Sequence, residues 1–411
     1  MKHILFISYD GMTDPLGQSQ VIPYLSALTR EGYRFTILSC DKAEKYRDNK
    51  TYVEKLLDSF PIRWVSIPYH KNPPVFSSVY DFFKLRNRAM SIFRESPFQM
   101  IHTRVGLPTL VALWMKKKTG VKFLNDIRGF WADERVDGGM WNLKNPLYRI
   151  IYRFFKKHEY ECLEKADFNT CLTFAGRKEI QSWKNIPKQP IPVEVIPCSA
   201  DLALFNPNDL DKNLQDSLKA ELGIVPGDFV ISYLGSIGGW YMTKDMMQFC
   251  GMLLQKRPET KFLFISPHRH EDIMQAANEF SIPPENIITR KGQRHEVPAL
   301  LSLSSYSLFF IKPCYSKKSS SPTKHGEIMA MGIPVITNAG VGDVEEIVTR
   351  YNAGIIIQEL NEKNYLYAID TICSGITFDQ NVIRAGAKDF YSLDKAVEKY
   401  KNVYKIILDG D

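Results

Sequence analysis

Short apolar runs of strand length alternate along this chain with longer stretches of helical period, and the alternation breaks once and begins again. His3–Ser8 precedes Gln18–Arg30, and Phe35–Leu38 precedes Asn49–Asp58. Strand-like runs follow at Ile62–Ile67, Met100–Thr103, Lys122–Asn125, Phe168–Cys171 and Val193–Ile196, with a helix-rich stretch from Pro146 to Glu164. Alternation of this kind is what βαβ units of a parallel sheet produce. Between Asp201 and Asp211, Pro, Asn and Asp interrupt both periods and mark a linker or surface loop. Strands then resume at Phe229–Leu234, Lys261–Ile265, Ile287–Thr289, Ser307–Ile311, Pro334–Thr337 and Gly354–Ile357, with helical patterns between them. The expectation is an α/β fold of two Rossmann-like, doubly wound domains, residues 1–205 and 206–390, facing across a cleft. The tail Leu393–Ile407 is amphipathic and follows a sheet already complete, so 391–411 is expected to form a helix packing back on the N-terminal domain.

A length of 411 residues suits two domains, at roughly 150 residues each. Lys and Arg number 53 against 46 Asp and Glu, a formal charge of +7. That mild excess favours phosphate-bearing ligands or an anionic membrane surface, and no nucleic-acid partner is expected. Seven cysteines are scattered without C-x-x-C spacing, which suggests neither a disulfide framework nor a zinc site and fits a reducing cytoplasm. The apolar run after Met1 is too short for a signal peptide, and no stretch of about 18 uncharged apolar residues follows. A cytoplasmic location is therefore expected, with nothing spanning a membrane.

In open α/β sheets ligands bind beyond the carboxyl ends of the strands, and three loops there carry unusual chemistry. In Ser8–Gly17, Gly11 and Gly17 let the backbone approach a donor, while Asp10, Thr13 and Asp14 crowd the same loop. It lacks G-x-G-x-x-G spacing, which argues against a dehydrogenase; its plain alternative is a connecting turn. The second loop, Asp126–Arg135, holds carboxylates, two arginines and two large aromatics at one strand end. Asp126, Arg128 and the neighbouring Arg104 are candidate catalytic groups, and His102, Trp131, Asp133 and Glu134 are candidate acceptor ligands. The alternative for Asp126 and Arg128 is an internal ion pair that holds the loop.

The third loop, Lys312–Glu327, is rich in Ser and Lys and feeds a helix starting near Thr323. Ser319, Ser321, Thr323 and Lys324 suit a pyrophosphate cradle at a helix N-terminus. Glu327, about one turn in, suits the vicinal diol of a ribose.

At these residues the sequence resembles the retaining glycosyltransferases of family 4, which have the GT-B fold. Gly326-Glu327-Ile-Met-Ala-Met-Gly332-Ile-Pro334-Val335 is similar to the second half of their donor-site signature, Val195–Asp201 to their interdomain turn, and Tyr233–Gly238 to the start of their second domain. The resemblance implies transfer of a sugar from a nucleotide-diphosphate co-substrate with retention, without a cofactor or an obligatory metal. It also implies that Gly235, Ser236, Lys324 and Glu327 handle the donor, and that the loop from Arg290 and Lys291 to Glu296 lies near its base. Ser319 stands where the family's first signature Glu is found, and Ser236 where an arginine is usual, which makes Lys324 the substitute cation and a catalytic candidate.

The implied acceptor is a saccharide or lipid-linked saccharide, in cell-surface polysaccharide biosynthesis. An epimerase or hydrolase of the same fold, or a non-catalytic nucleotide-sugar-binding subunit, are the alternatives. Basic and aromatic residues mix in Tyr148–Glu164 and Phe82–Arg94, a pattern shared by peripheral membrane contact and by ordinary packing on a sheet.

Overall fold

The computed structural model describes residues 1–267 and 270–410. The N-terminal sheet is built from β1 (Lys2–Ser8), β2 (Tyr33–Asp41), β3 (Ile62–Pro68), β4 (Met100–Arg104), β5 (Lys122–Ile127), β6 (Phe168–Cys171) and β7 (Val193–Val195). Its order is β3-β2-β1-β4-β5-β6-β7, and every pairing is parallel. The C-terminal sheet holds β8 (Val230–Leu234), β9 (Lys261–Ile265), β10 (Ile287–Arg290), β11 (Tyr306–Phe309), β12 (Val335–Asn338) and β13 (Gly354–Ile357). Its order is β10-β9-β8-β11-β12-β13, again all parallel. Sheets covered on both faces need strands that are apolar throughout, which is why Ile4–Ile7 and Val230–Leu234 are buried without alternation.

Both sheets have the doubly wound, Rossmann-like form that the alternation predicts, and each expected strand is present within a few residues of its expected ends. Strand order reverses between β1 and β4 in one sheet and between β8 and β11 in the other. Ligand crevices form at such reversals, outside the carboxyl ends of the strands. The loops after β1, β4, β8 and β11 are thereby singled out.

The helices differ more from expectation. The stretch Gln18–Arg30 is two helices, Pro15–Gln20 and Ile22–Thr29, separated at Val21, whose φ of −130° and ψ of −64° lie off the helical region. The linker ends at Asp211 as expected, but a helix that the sequence reading did not place, Lys212–Leu222, follows it directly, capped by the Asp211 carboxylate and stopped by Gly223 at φ +61°.

The chain divides into two compact units, Met1–Pro197 with Leu393 onward, and Cys198–Ser392. The C-terminal helix Leu393–Asp409 buries Ala396, Val397, Tyr400, Val403, Tyr404 and Ile407, an i, i+4, i+7, i+11 stripe that needs an apolar partner. It finds one in the N-terminal unit, against Ile4, Phe6, Tyr24 and Phe35. Among the described residues no helix is long and apolar enough to cross a membrane.

Candidate functional site

In the C-terminal unit the strongest site gathers at the β8–β11 reversal. Strand β8 ends in Tyr233 and Leu234, and Gly235 follows at φ +112°, a backbone conformation that favours glycine. A Cβ at Gly235 would come within 3.1 Å of Lys324 Nζ. Lys324 sits in the first turn of the helix Thr323–Ala330, with its ammonium 3.7 Å from the ring centre of Tyr241 and 4.4 Å from that of Tyr233. Its Nζ also donates to Tyr233 Oη at 3.3 Å.

Among the described residues no carboxylate lies within ion-pair distance of this ammonium. Burial therefore pushes it down to about 7, with Glu327 pulling the other way. A cation held by two aromatic faces and a phenol, beside a glycine turn, is a cation still short of an anion.

The rest of the loop fits an anion too. Pro322 at the N-cap position supplies no side-chain cap, so the first amides and the positive end of the helix are available to an anion. Ser319 is fully buried, with no partner for its hydroxyl among the described residues, and Ser321 Oγ accepts from the Cys198 amide at 3.3 Å. Across the loop, Asn338 at the end of β12 accepts from the Ile311 amide at 2.8 Å and donates to the Ile311 carbonyl at 2.9 Å, tying the ends of two strands together.

Glu327 is buried and pairs with Arg294. Burial pushes its carboxyl up while Arg294 and Lys324 pull it down. The Arg294 guanidinium also lies 4.7 Å over the Phe205 ring. In the same loop Arg290 spends its fork on Glu296 and Glu221, at 2.9 and 3.0 Å, so it holds the loop itself together. Lys291 and Ser236 are exposed, and the Ser236 carbonyl accepts from Tyr233 Oη.

The candidates of the N-terminal unit are bound up inside it. Asp126 is 3% exposed; its Oδ1 accepts from Thr170 at 2.8 Å and its Oδ2 from Tyr400 at 3.1 Å. Arg128 Nε stands 3.4 Å and His102 Nε2 3.5 Å from Oδ2. Burial alone would raise this carboxyl, yet Arg128, His102 and Thr170 outweigh it and hold it well below the usual range. His102 pairs Nδ1 with Tyr404 at 2.7 Å. The ion-pair alternative for Asp126 and Arg128 is thus what the structure shows, and its anchor is the C-terminal helix.

Gly11 and Gly17 are explained inside their own loop. A Cβ at Gly11 would lie 2.6 Å from Asp41 Oδ1, and one at Gly17 would lie 2.4 Å from the Gly11 carbonyl. Asp41 accepts from Thr13, Ser39 and Ser66, which pins the loop to β2 and β3. Asp133 likewise serves Lys156 at 2.9 Å and Tyr152 at 2.8 Å. Arg104 is buried, with Nε 3.5 Å from Asp10. Trp131 packs edge-on against Trp141 and at a tilt against Phe155, beneath the Arg135 guanidinium, and Glu134 lies against Gly129.

The sequence profile described as Glycosyltransferase Family 4 matches residues 19–204, and that described as Glycosyl transferases group 1 matches residues 215–389. The chain belongs to the group 1, family 4 glycosyltransferases. No curated protein sequence matches it. This glycosyltransferase is similar in fold to one from Rickettsia africae ESF-5, with TM-score 0.73, 15% identity and both chains covered in full. It is similar also to HepE of Anabaena, solved with UDP and glucose, with TM-score 0.70, 12% identity, and 98% and 100% of the two chains covered. WaaG, a glycosyltransferase involved in lipopolysaccharide biosynthesis, matches with TM-score 0.67 and 13% identity over 97% and 99% of the chains.

Sequence reasoning missed the side chains that surround Lys324 and Glu327 in this glycosyltransferase. Tyr233 and Tyr241 read as strand and helix residues, and only the burial of Lys324 between them shows their use. Arg294 lies within the Arg290–Glu296 loop, four residues after Arg290 and two before Glu296, and nothing local in the sequence marks it out from Arg290.

Proposed function

We infer that the protein transfers a sugar from a nucleoside-diphosphate donor to a saccharide or lipid-linked saccharide acceptor, with retention. Its setting is cell-surface polysaccharide assembly at the cytoplasmic face of the membrane. The observation that carries the donor half is Lys324, a buried ammonium that faces a glycine turn and an uncapped helix start with no carboxylate partner.

The leaving diphosphate supplies the missing charge. Its oxygens accept from Lys324 and from the first amides of the helix Thr323–Ala330, with the Ser319–Thr323 hydroxyls alongside. Preorganised donors aimed at a departing oxyanion stabilise the transition state more than the ground state, because charge builds there as the glycosidic bond breaks. Glu327 takes the ribose hydroxyls, exchanging some of its contact with Arg294 for them. We read the reaction as metal-independent, with Lys324 carrying the charge that a divalent ion would otherwise carry.

Thermal shifts with UDP, GDP, ADP and CMP test the reading and identify the base, since a ligand that binds only the folded state raises the melting temperature. One nucleoside diphosphate is expected to stabilise the protein, and Lys324→Met is expected to weaken that ligand by about 10-fold or more. Undiminished binding in Lys324→Met would remove the assignment.

A further inference from the structure

The N-terminal unit contains a groove of about 1290 Å³ between the helices Phe76–Glu95, Leu107–Thr119 and Pro146–Lys165. Drug-sized sites span roughly 300–1,000 Å³, so one small sugar would leave much of it empty. Leu107, Leu110 and Leu113 line one wall at three-residue spacing, continuing to Lys117. A wall of that kind runs about 15 Å along the helix at 1.5 Å per residue. The facing helix contributes Ile151, Phe155 and His158 at similar spacing. The groove therefore extends along both helix axes.

Its rim is apolar and open. Ile150 is 65% exposed, and Val79, Met140 and Phe154 are each about half exposed at the groove, while Phe76 and Phe83 extend the apolar surface on the neighbouring helix. Contiguous exposure of this kind marks a binding surface.

The charges along the groove are of one sign where they are unpaired. Lys116 and Lys165 are neutralised by Asp167 and Glu161. Lys71, Lys117 and Arg135 line the groove with no carboxylate in ion-pair distance among the described residues. Tyr9, Tyr69 and Lys71, just past the ends of β1 and β3, carry the groove to the carboxyl edge of the sheet, where a doubly wound fold handles its ligand.

An apolar trench with unpaired cations at its functional end complements one kind of molecule, a long hydrocarbon chain bearing a phosphate-type head. We propose that this groove seats the chain of a lipid phosphate or diphosphate acceptor drawn from the membrane, with the head at Lys71 and Arg135. The role of that lipid as acceptor rests on the transferase reading above; the binding itself does not.

Tryptophan fluorescence provides the test, because Trp131 and Trp141 both line the groove. The full-length protein is titrated with a C15 prenyl diphosphate, a C5 prenyl diphosphate, inorganic pyrophosphate, and vesicles of phosphatidylglycerol. Saturable binding of the C15 compound is expected, at least 10-fold tighter than the C5 compound and tighter still than pyrophosphate. The exposed double variant Ile150→Asp/Phe154→Asp should lose at least 10-fold in C15 affinity with an unchanged melting temperature, and Lys71→Glu at least 3-fold. Equal affinity for the C5 and C15 compounds, indifference to the double variant, or binding to vesicles without binding to the C15 compound would each overturn the proposal. Nucleoside-diphosphate thermal shifts on the same samples separate the two readings. Nucleotide binding without lipid binding defeats only the groove, and lipid binding without nucleotide binding defeats only the transferase reading.

Discussion

Lys324 is the residue on which the proposed donor chemistry turns, and its titration makes the proposal measurable. The folded, ligand-free protein holds it near 7, against an ordinary value of 10.5. Between those values the unfolded chain binds more protons than the folded one, so this group's contribution to stability rises as pH increases from about 7 to 10.5. Below 7 the folded state carries a charged ammonium among aromatic rings. A diphosphate reverses the preference, because only the protonated amine donates to it. Nucleoside-diphosphate affinity is therefore expected to fall as pH rises from 7 to 9, and binding near pH 8 is expected to take up a proton. Calorimetry in two buffers of different ionisation enthalpy measures that uptake, and an absence of uptake in the wild type would show that the amine does not meet the ligand.

At the scale of single elements, the C-terminal helix is fastened by polar as well as apolar contacts. Tyr400 and Tyr404, both fully buried, deliver their hydroxyls to Asp126 and His102 under β5 and β4. Hydrogen bonds to charged groups contribute about 1.5–3 kcal/mol, so Tyr400→Phe is expected to cost about that much in urea unfolding. Asp126 sets the pH dependence. Its folded value lies below the unfolded one, so its stabilisation is complete above about 4 and is lost as pH falls further through the folded value. Tyr400→Phe should shift acid unfolding to higher pH. The strands and this amphipathic helix were legible in the sequence because short continuous apolar runs and an i, i+4, i+7 stripe are local patterns. The fate of Asp126 was not, since the same carboxylate at a strand end reads as catalytic until Tyr400, 274 positions away, is seen to occupy it. Gly11 and Gly17 are a similar case: the sequence suggests a close approach of the backbone there, but not that Asp41 and the Gly11 carbonyl are among the atoms that approach.

On the scale of the whole molecule, the two units differ in how the chain supplies them. The C-terminal unit is one continuous segment, Cys198–Ser392, whereas the N-terminal unit needs both Met1–Pro197 and the helix from Leu393 onward. The groups proposed to meet the donor, Tyr233, Lys324, Glu327 and Arg294, all belong to the continuous segment, whose core, from Ala200 to Tyr391, is also contained within it. A fragment spanning 198–392 is accordingly expected to fold and to show the same nucleoside-diphosphate thermal shift as the full chain. A fragment ending at Pro197 lacks the helix that covers Ile4, Phe6, Tyr24 and Phe35 and leaves His102 and Asp126 without their tyrosines. Exposed apolar area of that kind drives association, so the shorter fragment should aggregate. Joining residues 393–410 to it through a flexible linker should restore a soluble, cooperatively melting unit. A soluble, cooperative 1–197 fragment in size-exclusion chromatography and calorimetry would show that the C-terminal helix is dispensable to the N-terminal core.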